Sequence, residues 1–125
     1  MTASDLKAIP FVPPLTALKN RFANEAELQE AVAATLGRHC TTAVNREHRF
    51  DARNRIDFWI PEMRIGIECK VKPNGMAVWR QLDRYADHVD ALILVTTAPV
   101  DRLLIPRNSS GEQIGFILIE LWKNL

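Results

Sequence analysis

Residues 55–72 read RIDFWIPEMRIGIECKVK and hold two short segments of apolar alternation. In the first, Ile56, Phe58 and Ile60 alternate with Arg55, Asp57 and Trp59. In the second, Ile65, Ile67, Cys69 and Val71 alternate with Gly66, Glu68, Lys70 and Lys72. A period of two is that of a β-strand, whose successive side chains point to opposite faces. Residues 61–64 supply a turn, so the pair predicts an antiparallel hairpin with one buried side. The same alternation sets Asp57, Glu68 and Lys70 on the polar side, where adjacent strands bring two carboxylates and one ammonium together.

Working outward, Asn24 is a helix cap with Glu25 and Glu27 in the first turn. Leu28, Val32 and Leu36 then form one apolar stripe, and Gly37 suits the exit, which predicts a helix over 25–37. Residues 41–50 are β-prone and bounded by polar turns, as in an outer strand. After KPNG at 72–75, the residues Val78, Leu82, Tyr85, Ala86 and Val89 recur at helical spacing and predict a helix over 77–89. ALILVTT, residues 91–97, is a continuous apolar run, the pattern of a strand covered on both faces. A strand, a crossover helix and a second strand make 65–71 and 91–97 a parallel pair. IGFILIEL closes the chain as a last strand, after an exposed loop at 108–113.

These elements predict an α/β protein with a central mixed sheet flanked by helices, in one domain over 1–125. Its parts are an irregular N-terminal arm over 1–22 carrying Pro10, Pro13 and Pro14, a core over 25–97, and a C-terminal extension over 98–125 with the last strand. The 125 residues, 47% hydrophobic and 25% charged, suit one ordinary hydrophobic core. No apolar run approaches a bilayer span, and MTASDLKAIP lacks the layout of a secretion signal, so a cytoplasmic protein with no membrane partner is expected. Cys40 and Cys69 make no disulfide framework and are expected as reduced structural thiols. The net charge of +1 excludes a protein that coats DNA by bulk charge. Between Arg46 and Arg84, however, nine Lys or Arg stand against six acids.

Glu-x-Lys on a strand is by itself the pattern of a solvated face. An aspartate in one apolar strand, a turn, Glu-x-Lys in the next and then an amphipathic helix say more. Two carboxylates are hard oxygen ligands suited to Mg²⁺, which binds through one or two acids and keeps its other positions for water and phosphate. A metal held there acidifies a bound water and stabilises charge on phosphate oxygens, and a neighbouring lysine offsets the negative charge that develops.

RIDFWI and IGIECKVK together resemble the PD-(D/E)XK nuclease superfamily, the restriction-endonuclease-like fold, and 25–97 is similar to its αβββαβ core. The resemblance implies that Asp57 and Glu68 bind Mg²⁺ or Mn²⁺, that the Cys69 backbone carbonyl is a further ligand, and that Lys70 handles the attacking water. Ile56 stands where many members have a proline. QLDRY at 81–85 is similar to the Q-x-x-x-Y motif of the RecB-type branch, which implies a role for Gln81 close to the metal or phosphate. Tyr85 also falls on the apolar stripe, so core packing and a place in the motif stay open for it. The superfamily often adds an acid from its first helix. Of Glu25, Glu27 and Glu30, Glu27 is expected in that role, with an interaction with the helix dipole as its other reading.

Lys72, Arg80, Arg84 and Tyr85 are the expected nucleic-acid contacts. Trp59 reads either as a stacking platform for an unpaired base or as packing under the first helix. The function expected is metal-dependent hydrolysis of phosphodiester bonds in nucleic acid, with DNA as the partner, in an endo- or exonuclease that prefers a DNA structure. The alternative is a catalytically inactive nuclease-fold module that binds DNA or a protein. A homodimer or a larger assembly would serve an enzyme that cuts two strands.

Overall fold

A computed structural model describes residues 1–100 and 104–124. It is an α/β protein with four α-helices: α1 (Ala3–Lys7), α2 (Val12–Thr16), α3 (Glu25–His39) and α4 (Gly75–Tyr85). The strands are β1 (Asn45–Arg49), β2 (Arg55–Ile60), β3 (Ile65–Lys70), β4 (Ala91–Thr96) and β5 (Gly115–Glu120), and a 3-10 turn follows at Leu121–Lys123. The five strands form one mixed sheet in chain order. β1, β2 and β3 are antiparallel neighbours, whereas β3, β4 and β5 run parallel. The hairpin and the parallel pair around α4 are thus as the sequence predicts. No helix among the described residues is long and apolar enough to cross a membrane.

The sheet separates two layers of core. On one face α1, α2 and α3 bury Leu6, Leu15, Leu28 and Leu36 against Phe58, Ile67, Ile93 and Val95. On the other, α4 sets Val78, Leu82 and Tyr85 against Trp59, Leu92 and Leu94. β3 and β4 lie between the layers and are buried at nearly every position, as a continuous apolar run requires. Gly66 matters for that contact. A Cβ there would lie 2.4 Å from Ile56 Cδ1 and 3.0 Å from Leu92 Cδ2, so only glycine leaves room for the α4-side core.

Several boundaries differ from the expectation. The arm over 1–22 is not irregular: the Thr2 hydroxyl accepts from the Asp5 N–H, and the Asp5 carboxylate accepts from the Thr2 N–H, a capping box that starts α1. Pro13 and Pro14 fall in the first turn of α2, where a missing N–H removes no intrahelical bond. Both helices owe their place to the burial of Leu6, Phe11, Val12 and Leu15 in the core. The outer strand is shorter than 41–50, α3 runs two residues past Gly37, and α4 ends at Tyr85 although Val89 stays buried. The last strand belongs to the central sheet, since β5 pairs with β4 at all six positions. Within the expected extension over 98–125, residues 101–103 and 125 lie outside the described residues. Cys40 and Cys69 are free thiols, as expected.

Candidate functional site

The β2–β3 ladder stops at Phe58 and Ile67, one step short of Asp57 and Glu68. Beyond that step the side chains replace the missing backbone partners. The Asp57 N–H donates to Glu68 Oε1 at 3.1 Å, and the Cys69 N–H donates to Asp57 Oδ2 at 2.8 Å. The two carboxyl groups thus close the gap between the parting strands, each capping a donor that the ladder leaves over. A strand residue directs its N–H and C=O toward the same neighbour, so the Cys69 carbonyl faces this gap as well.

β2 is interrupted at the same residue on its other side. Its register with β1 skips the pair Glu47 and Asp57, and Glu47 adopts a left-handed backbone with φ 51°. The interruption turns the strand. Ile56 joins Trp59 in the α4-side core, while Phe58 and Ile60 join the other one. The expected alternation, with Ile56, Phe58 and Ile60 on one face and Asp57 beside Trp59 on the other, therefore fails at Asp57. Trp59 packs on the α4 side in contact with Phe50 and His48, not under α3 and not in solvent.

On the α3 side, Gln29 Nε2 donates to Asp57 Oδ1 at 3.0 Å, and Glu25 is near enough to push the Asp57 pKa further up. Glu27, the acid expected here, is instead exposed at the helix start. Its Oε1 accepts from the Ala23 N–H at 3.0 Å, and its own N–H donates to Asn24 Oδ1. The helical geometry explains this placement. At 100° per residue, measured from the mean direction of Leu28, Val32 and Leu36, Glu25 lies about 20° away, Gln29 about 60° and Glu27 about 140°. The direction of the apolar stripe is the signal that places Glu25 and Gln29, and not Glu27, toward the sheet.

On the α4 side, Lys70 Nζ lies 3.5 Å from Glu68 Oε2, with 21% of its side chain exposed against 3% for Glu68. Gln81 Nε2 donates to the Tyr85 hydroxyl at 2.8 Å, and that hydroxyl donates to the Arg55 carbonyl and lies 3.4 Å from Glu68 Oε2. The helical i, i+4 pair is thus one hydrogen-bonded unit behind Glu68. Tyr85 is 1% exposed, so the expectation that it touches nucleic acid is corrected: its ring is core and its hydroxyl belongs to the site. Lys72, Arg80 and Arg84 are exposed, and Arg84 Nε donates to Asn54 Oδ1 at 3.2 Å.

Electrostatics follow from this packing. Burial, and next the Asp57 charge, push the Glu68 pKa from 4.5 up to about 8. Burial also raises Asp57, against the opposing effects of the Cys69 N–H and of a hydrogen bond shared with Glu68. Burial and mutual repulsion therefore oppose ionisation of the two acids together. Burial raises the Cys69 thiol well above its ordinary range, as do the neighbouring carboxylates, which rules it out as a ready nucleophile. Among the described residues no group of three or more His, Cys, Asp or Glu side chains is arranged to hold a metal. The donors on offer are two carboxylates and the Cys69 carbonyl. No protein-family model, curated protein or solved structure matches this chain.

Proposed function

We propose that the protein is a metal-dependent nuclease of the PD-(D/E)XK type, which hydrolyses phosphodiester bonds in DNA. The observation that carries this reading is the meeting of the Asp57 and Glu68 carboxyl groups where β2 and β3 part, with the Lys70 ammonium beside Glu68. The order α3, β1, β2, β3, α4, β4 matches an αβββαβ core and supports the restriction-endonuclease-like assignment.

The donor set fits Mg²⁺ or Mn²⁺, because it consists of hard oxygens and is short of a full cage, which leaves room for water and phosphate. Burial opposes ionisation of both acids together, and a bound cation is what offsets that opposition. Asp57, Glu68 and the Cys69 carbonyl would hold the ion, which when bound supplies an acidified water and polarises the phosphate. The protein's own groups have separate tasks. Gln29 fixes the rotamer of Asp57, and the Gln81–Tyr85 unit fixes the position of Glu68. Lys70, at the rim, reaches solvent and Glu68 alike, so its ammonium orients water and offsets charge on the phosphate oxygens. Exposed Lys72, Arg80 and Arg84 offer cations to the DNA backbone.

A second reading, an inactive module of this fold that binds DNA or a protein, is favoured by one observation: Glu68 is 2% exposed. Incubation of plasmid, single-stranded and branched DNA with Mg²⁺ or Mn²⁺ separates the two. Cleavage is expected from the native protein, with a loss of about 100-fold or more in Glu68→Ala and in Lys70→Ala. Cleavage that survives both substitutions overturns the site assignment. No cleavage of any substrate with either ion leaves the binding module.

A further inference from the structure

The hairpin of β1 and β2 is built in two halves. Its pairing skips Glu47 and Asp57, so Asn45 and Arg46 pair with Trp59 and Phe58 on one side of the skip, and His48 and Arg49 pair with Ile56 and Arg55 on the other. The second half, with its tip at 50–54, forms an arm that has no register partner on β3, where pairing begins at Phe58. Asp57 stands at the root of this arm, so whatever holds the arm decides where the Asp57 carboxylate lies. Ile56, packed over Gly66, fixes the root. The tip is fixed by the end of α4. The Phe50 ring stacks on the His88 ring, with centroids 4.9 Å apart and planes 2° from parallel, and His88 Nε2 lies 3.3 Å from Asp51 Oδ2. Arg84 Nε donates to Asn54 Oδ1 at 3.2 Å, and the Tyr85 hydroxyl donates to the Arg55 carbonyl. Asp51 Oδ1 meanwhile accepts from the Arg53 and Asn54 N–H groups, which holds the tip in one shape.

We propose that Asp51 and His88, which lie outside the carboxylate pair, are positioning residues: they clasp the arm to α4, and the clasped arm sets Asp57 against Glu68 and so sets the affinity of the pair for a divalent cation. The last step rests on the metal reading of that pair; the clasp does not. The contact between His88 and Asp51 is an ion pair only while the imidazole carries a proton, and histidine changes charge between about pH 5 and 8. The clasp is therefore tighter at the acid end of that range. Other charges also face His88. Asp87, beside it, accepts from the Ser109 N–H. Arg64, from the turn between β2 and β3, donates to the His88 carbonyl and pairs with Asp90. Arg84, one turn earlier, is turned to Asn54. Of these acids only Asp51 belongs to the arm, so a change in the His88 charge reaches the arm through it.

Hydrogen exchange of the full metal-free chain at pH 6 and pH 8 tests the clasp. Asp51→Asn keeps the oxygen that shapes the tip, His88→Phe keeps the stack on Phe50, and each removes the ion pair. At pH 6 each variant is expected to exchange amides 48–56 about two- to fivefold faster than the native chain, as the loss of a part-exposed pair allows. The gap should narrow at pH 8, and β4 should exchange alike in all three proteins. An arm that exchanges as in the native chain at pH 6 overturns the clasp. So does a gap of equal size at both pH values, or one shared by β4, since lost packing or lost stability explains either. Mn²⁺ titration at pH 7, read by water-proton relaxation, tests the consequence. Dissociation constants about two- to fivefold higher in both variants support the positioning role, and constants equal to the native value overturn it. No Mn²⁺ binding by the native chain would overturn the metal reading and with it the positioning role, while exchange still decides the clasp.

Discussion

At the scale of a residue, Glu68 sets the pH behaviour of the metal-free protein. Its carboxyl is held at about 8 against an ordinary 4.5, because burial and the Asp57 charge disfavour the ionised form. The sign follows from linkage: below pH 4.5 the group is protonated in both folded and unfolded chains and costs nothing. Between 4.5 and about 8 the unfolded chain ionises first, so the native state loses stability with every step upward. Above 8 the loss is complete, and a rise of this size corresponds to about 3–5 kcal/mol. Urea unfolding without divalent ions is therefore expected to give a stability that falls from pH 5 to pH 8, and a Glu68→Gln variant whose profile is flatter by that amount. Equal slopes in the two proteins would remove the account of the buried pair.

At the scale of the element, β3 does two jobs with its two faces, and Gly66 shows how closely they are fitted. The α4 layer rests on β3 where a Cβ would be 2.4 Å from Ile56 and 3.0 Å from Leu92, both fully buried. Gly66→Ala is expected to push Ile56 off its position and cost about 1–3 kcal/mol, read as a lowered denaturation midpoint with an unchanged slope. A variant as stable as the native protein would show that the two layers slide freely. The strands of this region were legible in the sequence because their apolar period survives burial, and so were α3 and α4, because their stripes are long. The turning of β2 at Asp57 was not. It arises from Glu47 on the neighbouring strand, whose left-handed backbone leaves no mark on the pattern of residues 55–60. The short helices α1 and α2 were masked by prolines that usually break helices and here begin one.

At the scale of the whole molecule, the site is a seam where three layers meet. α3 brings Gln29, the sheet brings Asp57, Glu68 and Lys70, and α4 brings Gln81 and Tyr85. The sequence placed the acids and the lysine, because a strand's period fixes which side chains are near each other. It could not show that Asp57 comes to Glu68 through the end of a ladder rather than across one. That difference would have a thermodynamic consequence. Each carboxyl already caps a backbone N–H, so an ion of the proposed kind entering the seam would bind a preformed pair, and its binding energy would add to the stability of the whole fold. Addition of Mn²⁺ or Mg²⁺ at pH 8 is expected to raise the melting temperature in proportion to the logarithm of ion concentration once the site is saturated. At 100 times the dissociation constant the gain is about 2.7 kcal/mol. The rise should vanish in Asp57→Asn and in Glu68→Gln, yet persist in Glu27→Gln, whose side chain only caps α3. An equal rise in all four proteins would locate the ion elsewhere and separate the paired acids from metal chemistry, whatever the DNA assay returned.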